Sequence, residues 1–329
     1  MENLETLGSL GENEALKRTV SRLNRGDFEV VGSGDDAAVV LTTDDRFVVT
    51  TDTMIEGHDF SLKWSSFYDL GYKAIATNVS DVAAMGAQPT SLVVAIAVPV
   101  TTKIQDLEAF ADGLRDACEQ LAPGASVVGG DLAASDKVFI SVTAHGALQG
   151  REPVLRSGAK AGDVVAVAGT LGRAAAGLAL LFSNNNDAIS AYDDFVSVQL
   201  RPHPPIASGI AASLAGATSM LDISDGLAKD AGRIAKASDV AIRLNARDLN
   251  GFEAMVEEPA RAIGASALDW VLFGGEDHGL LATFPAGARI PREFKPIGVV
   301  LVAGENQPSR VLLDDAPIAE KGWDSILGN

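Results

Sequence analysis

Short runs rich in β-branched residues alternate along the whole chain with stretches whose apolar residues recur at helical spacing. That alternation restricts the fold more than any other feature. A helical bundle would lack the first kind of segment and a β-sandwich the second, so a mixed α/β (α+β) protein is expected. In the first half, Asn13 to Asn24 reads as a helix. Asp36 to Leu41 and Arg46 to Asp52 read as strands separated by the polar turn Thr42–Asp45. A long helix opens at the cap candidates Ser65 and Ser66 and closes at Gly86, ahead of Pro89. Ser91 to Val100 is β-rich, Ile104 to Leu121 is an amphipathic helix, and Val127–Val128 and Val138 to Ala147 read as further strands.

Around Gly146 to Gly162 glycine, arginine and proline accumulate, and a second cycle begins. Asp163 to Ala168 reads as a strand, Gly172 to Phe182 as a small-residue helix, and Ser183 to Asp187 as a loop. Another helix stops at the Arg201–Pro205 segment, which holds three prolines. Met220–Ile223 (strand), Leu227–Ala237 (helix) and Val240–Leu244 (strand) follow, with an αβ tail to Asn329. The 329 residues suffice for two domains, placed at 1–150 and 151–329.

Charge narrows the partners. Twenty-six Lys and Arg against 44 Asp and Glu leave a net charge of −18. Such a chain repels phosphodiester backbones, so nucleic acid is not an expected partner. A phosphate ligand would need divalent cations or helix ends to supply positive charge. The single cysteine, Cys118, excludes an intramolecular disulfide and a zinc ribbon, and it reads as a packed, inert thiol. Neither a signal peptide at the acidic start nor a bilayer-spanning stretch is seen, so a cytoplasmic protein without membrane contact is expected.

The Walker-type phosphate loop, the dinucleotide Gly-x-Gly-x-x-Gly and the Gly-x-Ser-x-Gly elbow are all missing from the sequence, and its four histidines have no metalloprotease spacing. What stands out instead is acids in Gly- and Ser-rich settings at element ends. These are Gly32-Ser-Gly-Asp-Asp-Ala37, Thr50-Thr-Asp-Thr53, Asn78-Val-Ser-Asp81, Gly129-Gly-Asp131, Asp222-Ile-Ser-Asp-Gly226 and Gly274-Gly-Glu-Asp277. Singly, each reads as a turn or cap. Two resist that reading. Asp81 points away from the apolar face of its helix, yet its helical neighbours include Ala74, Thr77, Asn78 and Ala84 rather than Lys and Glu. In the strand before it, Val48, Thr50 and Asp52 alternate onto one face, setting a carboxylate beside a hydroxyl at the strand's end. Converging acids would repel one another unless cations lay between them, and Mg²⁺ prefers such oxygens together with substrate phosphates. The Asp222–Gly226 segment adds a helix N-terminus whose N–H groups attract phosphate.

Taken in order along the chain, these motifs together with Arg156-Ser-Gly-Ala159 resemble the thiamine-monophosphate kinase family, in the ATP-binding superfamily of aminoimidazole ribonucleotide synthetase. The resemblance implies two αβ domains, with the N-terminal sheets of two subunits pairing in a homodimer and the C-terminal domain completing the active site. It implies ATP-dependent phosphorylation of thiamine monophosphate to thiamine diphosphate, by direct in-line transfer assisted by several Mg²⁺ ions. Asp36, Thr50, Thr51, Asp52, Asp81, Asp131, Asp222 and Asp225 would be metal ligands. Gly130, Asp131, Arg156 and Ser224 would contact ATP, and Asp59, Glu276 and Trp323 the thiamine compound. No general base is expected, because the attacking phosphate is already ionised.

The sequence departs from the family pattern twice. In Glu56-Gly-His-Asp-Phe60, Asp59 holds the position of an expected histidine and His58 comes one residue early. After Gly274-Gly-Glu-Asp277 the chain runs into His278-Gly-Leu rather than Tyr-Glu-Leu. Selenophosphate synthetases typically carry a reactive cysteine or selenocysteine near the N-terminus, and none precedes Cys118 here; the maturation dehydratase ends in a modified cysteine, whereas this sequence ends Ile326-Leu-Gly-Asn329. A purine-pathway synthetase is the enzymatic alternative, and a non-catalytic nucleotide or metal sensor the alternative from another class.

Overall fold

A computed structural model describes residues 5–33, 38–304 and 310–322, except the side chains of Glu12 and Asn13. The chain divides into two compact units, Met1–Val82 with Gln88–Gly150, and Ala83–Ala87 with Arg151–Asn329.

The first unit begins with α1 (Leu7–Leu10), α2 (Glu12–Val20), β1 (Glu29–Val31) and β2 (Val39–Val40). It continues through β3 (Phe47–Ile55), α3 (Phe67–Ala84, whose last two residues fall in the second unit), β4 (Gln88–Val98), α4 (Ile104–Leu121), β5 (Ser126–Ala134) and β6 (Phe139–Ala147). β1 and β2 form a separate ribbon. Of the stretch expected as a strand from Asp36 to Leu41, the described residues form β2 at Val39–Val40, which pairs with β1. The main sheet has the order β3-β6-β4-β5, antiparallel except for the β4–β5 pair, and is therefore mixed.

Helix α3 starts where its sequence says it should. The Ser66 backbone and hydroxyl donate to Asp69 Oδ2 at 2.9 and 2.7 Å, and Asp69 N donates back to Ser66 Oγ at 3.2 Å. From Asp69 to Ala76 every residue is buried. Its contact with α4 is backbone on backbone: a Cβ at Gly71 would lie 2.1 Å from Phe110 O, and one at Gly113 2.1 Å from Tyr68 O. Cys118 is fully buried in α4, and burial pushes its thiol up to about 12, so it is inert. On the other side of α4, Asp112 receives Arg22 at 2.6 Å and Arg115 at 2.7 Å, which ties the segment after α2 to the helix.

The second unit runs β7 (Val164–Ala168), α5 (Arg173–Ser183), α6 (Asn186–Ala191), α7 (Asp193–Leu200), α8 (Ile206–Leu214), β8 (Ser219–Ile223) and α9 (Leu227–Ser238). Then come β9 (Val240–Leu244), α10 (Ala246–Ile263), α11 (Ala267–Phe273), β10 (Gly279–Phe284), β11 (Phe294–Val302), β12 (Val311–Leu313) and β13 (Ala316–Pro317). The sheet order is β13-β12-β9-β11-β7-β10-β8. Both faces are covered, which explains why its strands read as continuous apolar runs. In β7, Val165 and Val167 enter a core shared with Leu180, Leu227, Phe252 and Val271, whereas Ala166 and Ala168 join Met220, Phe284 and Phe294 on the other face. Helix α8 was not legible in advance, and α6 begins inside the segment expected to be a loop. No helix among the described residues is long and apolar enough to cross a membrane.

Candidate functional site

In the first unit, strand alternation sorts the expected ligands onto two faces. Thr50 Oγ1 donates to Asp81 Oδ2 at 3.0 Å, so β3 turns Thr50, and with it Asp52, toward the half-buried acid of α3. Thr51 points the other way. Its hydroxyl donates to Val142 O at 2.9 Å and accepts from Thr143 Oγ1 at 3.2 Å. Thr53, Ser141, Ala95 and Asp131 pair in one row across the sheet, which puts Asp131 on the face of Thr51 rather than that of Asp52. The sequence therefore supplies the acids, but the register separates them.

Asp131 and Gly130 line a cavity of about 840 Å³ whose other walls are largely apolar, among them Val20, Leu107, Phe110, Ala111 and Val127. Gly130 is required where it stands, since a Cβ there would lie 2.0 Å from Val94 O on the paired strand. Asp59 closes its own turn: one carboxylate oxygen accepts from Ile55 N at 2.7 Å, while His58 beside it is exposed. Asp36 and Trp323 lie outside the described residues.

In the second unit two loops are laced together. Asp222, next to last in β8, is almost fully buried, and its Oδ2 lies 3.1 Å from Nδ1 of the equally buried His278. Glu276 N donates to Ser224 O at 2.9 Å, and His278 N donates to Ile223 O at 3.1 Å. Gly275 permits this approach, because a Cβ there would meet Ser224 O at 2.3 Å. Glu276 accepts from Gln199 Nε2. Asp277 is buried and serves as an anchor: it accepts from Thr170 Oγ1 at 2.7 Å and from the first N–H groups of α5, Arg173 at 3.2 Å and Ala174 at 3.3 Å. α5 has no capping side chain of its own, so a distant acid fills that role.

Asp225 is paired with Arg233 and, at 3.2 Å, with Lys229. The N–H groups of Asp225 and Gly226, expected to attract phosphate, instead donate to Asp230 Oδ2 at 3.0 and 3.1 Å. Asp230 is completely buried. Burial pushes its carboxyl up to about 7, with Arg233 opposing and the charges of Asp222 and Asp225 adding to the rise. Arg156 is exposed. Asp163, one conceivable partner for it, is engaged by Thr218 at 2.6 Å and by Lys160 N at 2.9 Å.

Sequence reasoning missed Gln199, Asp230 and Arg233. Asp230 and Arg233 had a local signal, being three residues apart on one helix just beyond an acidic loop; Gln199 had none. Among the described residues no three acids, histidines or cysteines converge into a closed metal cage. The donors present are hard oxygens held singly or in pairs. Mg²⁺ is commonly held in this way, through one or two carboxylates, waters and substrate phosphates, so the residues fit that ion.

Residues 34–148 match the N-terminal domain of AIR synthase related proteins, and residues 160–310 match the C-terminal domain. The chain is 42% identical over 325 residues to a thiamine-monophosphate kinase of Mycobacterium tuberculosis, covering 98% of this chain and 93% of that protein. Among solved structures, a thiamine-monophosphate kinase from Stenotrophomonas maltophilia superposes with a TM-score of 0.76 at 31% identity, covering 93% of this chain and 96% of that one. AaThiL complexed with AMPPCP and TMP superposes with a TM-score of 0.74 at 30% identity, over 96% of both chains.

Proposed function

The chain belongs to the thiamine-monophosphate kinase family of AIR synthase-related proteins, and from that premise we propose that it transfers the γ-phosphoryl group of ATP to thiamine monophosphate. The products are ADP and thiamine diphosphate. The observation that carries the reading is identity of 42% over nearly the full length of both chains. A phosphate oxygen of thiamine monophosphate attacks the γ-phosphorus as the bridging P–O bond to the β-phosphate breaks. Neither a phosphoenzyme nor a general base is needed.

The protein's part is positioning and charge control. We assign residues 1–150 to nucleotide and metal binding and to dimerisation, and residues 151–329 to completing the site. Thr50, Asp52 and Asp81 would hold Mg²⁺ from one face of the first sheet, and Thr51 and Asp131 from the other; Asp36, Asp222 and Asp225 complete the set. Held by these residues, Mg²⁺ would supply neutralisation of the phosphates' charge. The cavity beside Gly130 and Asp131 suits the flat, largely apolar base of ATP. Arg156 and Ser224 would meet the phosphates. Glu276, steadied by Gln199, and Trp323 would receive the cationic, aromatic thiamine group. One oxygen of Asp59 is committed to its turn, so only the other is available for substrate.

A homodimer is supported by the sheet face that carries Thr51. Phe47, Val49, Val93 and Phe139 share it, and they are 56, 57, 37 and 37% exposed. A cytoplasmic location accords with this substrate chemistry. The test is chromatographic: protein, ATP, Mg²⁺ and thiamine monophosphate, followed for ADP and thiamine diphosphate with and without EDTA. Matched, EDTA-sensitive appearance of both products is expected. No thiamine diphosphate from folded, ATP-binding protein would refute the reading, and turnover of formylglycinamidine ribonucleotide instead would identify a purine-pathway synthetase.

A further inference from the structure

His278 occupies a backbone position that favours glycine. Its φ is 51°, and that of Glu276, two residues earlier, is 66°. A side chain other than glycine in the left-handed region is disfavoured, so its persistence directs attention to what the side chain does. The ring is buried against the carboxylate of Asp222. A carboxylate that ligates a metal is ionised and only accepts, so with Asp222 in that role Nδ1 is the donor in the 3.1 Å contact with Oδ2.

The ring is held in register with that carboxylate by the main chain. His278 N donates to Ile223 O, Gly279 pairs with Ile223, and Leu280 pairs with Asp222 across the β8–β10 ladder. Asp277 meanwhile anchors the same loop to α5. The imidazole therefore approaches Asp222 from a fixed direction and ties down one of its two oxygens.

We infer that His278 is the positioning residue for Asp222: by donating to Oδ2 it fixes the carboxylate plane that would meet the metal ion accompanying the nucleotide. The inference rests on the reading of Asp222 as a metal ligand. Partners that orient a ligating group in this way typically change metal affinity by about 10- to 100-fold when removed.

The experiment titrates Mn²⁺, read by electron paramagnetic resonance, into protein saturated with AMPPCP, for the wild type, H278G, H278N and D222N. H278G removes the donor while suiting the backbone. H278N places an amide N–H at the same distance along the side chain and tolerates a positive φ. Expected are a weakening of Mn²⁺ binding of about 10- to 100-fold in H278G, near-wild-type binding in H278N, and loss of a tight Mn²⁺ in D222N. Wild-type affinity in H278G beside a lost ion in D222N would overturn the role of His278 and leave Asp222 as a ligand. Unchanged binding in both would overturn the reading of Asp222 itself, and the inference with it. Equal weakening in H278G and H278N would show that ring packing, not the donor, matters, and would overturn the inference. If H278G is unfolded by circular dichroism, H278S replaces it, since its hydroxyl is too short to reach Oδ2.

Discussion

Asp277 and Glu276 are adjacent in one motif, and the structure gives them opposite jobs. Asp277→Ala removes the acceptor for Thr170 Oγ1 and for two N–H groups at the start of α5, all at a buried site. Loss of a helix cap costs about 1–2 kcal/mol, and each donor left buried without a partner about 1–3 kcal/mol. The threonine hydroxyl can rotate to another acceptor, which leaves a sum of about 3–5 kcal/mol. For a cooperative unit of 150–250 residues, 1 kcal/mol moves the midpoint by about 2–4 °C, so a fall on the order of 10 °C is expected. Asp277→Asn keeps one acceptor oxygen and should fall by roughly half as much. Glu276→Ala, by contrast, should melt within about 2 °C of the wild type, as for a residue outside the core, while raising the KM for thiamine monophosphate. Differential scanning calorimetry of the three variants, with kinetics alongside, decides it. If Asp277→Ala melted with the wild type, the anchoring role would be wrong; if Glu276→Ala were the less stable of the two, so would the division of labour.

Other consequences can be tested separately. Burial alone would raise the pKa of Asp112, but Arg22 and then Arg115 outweigh it and hold it below 3.8. The folded state thus binds this proton less readily than the unfolded chain. Asp112 then contributes stability at pH values above 3.8 that is lost as the pH falls through its lower folded value. In an acid titration followed by circular dichroism, Asp112→Asn should be less stable at neutral pH and lose less on acidification; parallel curves would contradict this. Gln199→Leu releases Glu276 and should raise the KM for thiamine monophosphate by up to about tenfold, or ~1.4 kcal/mol, with kcat nearly unchanged. An unchanged KM would mean that Glu276 needs no such support. Ala111→Phe fills part of the cavity beside Gly130 and should raise the KM for ATP more than that for thiamine monophosphate. Equal effects on both would place the base elsewhere.

The fold was legible where local chemistry and tertiary environment agree. α4 spans the residues its amphipathic pattern marks, and α3 begins at its Ser66–Asp69 box. α8 was not legible: Ile206–Leu214 is made of Ile, Leu, Ala, Ser and Gly, with no polar face to give it a period. α6 hid in a polar run because Asn185, a natural loop residue, is also its cap, accepting from Ala188 N at 3.2 Å. β2 was recognisable as a strand, but its partner was not, since periodicity does not say which neighbour a strand joins. The same limit governed the site. The identities of Thr50, Asp52, Asp81 and Asp131 can be read from motifs, but Asp131 lies on the opposite sheet face because of a register that spans three strand pairings. Gln199 with Glu276, and His278 with Asp222, are partnerships across 77 and 56 residues of chain, which local reasoning does not reach.

The glycine crossing of α3 and α4 bears on how this protein can change over generations. Gly71 and Gly113 each press on the other helix's main chain, and Asp81 lies ten residues beyond Gly71 on the same rod, about 15 Å away at 1.5 Å per residue. A methyl group at either glycine must lever the helices apart, and the far end of the lever is the acid that Thr50 holds. Lineages of this protein are therefore free to vary the exposed faces of α4, yet the two glycines form a joint at which the smallest substitution would be felt at a carboxylate it never touches. An engineer adding alanines to stiffen these helices should leave those two positions alone.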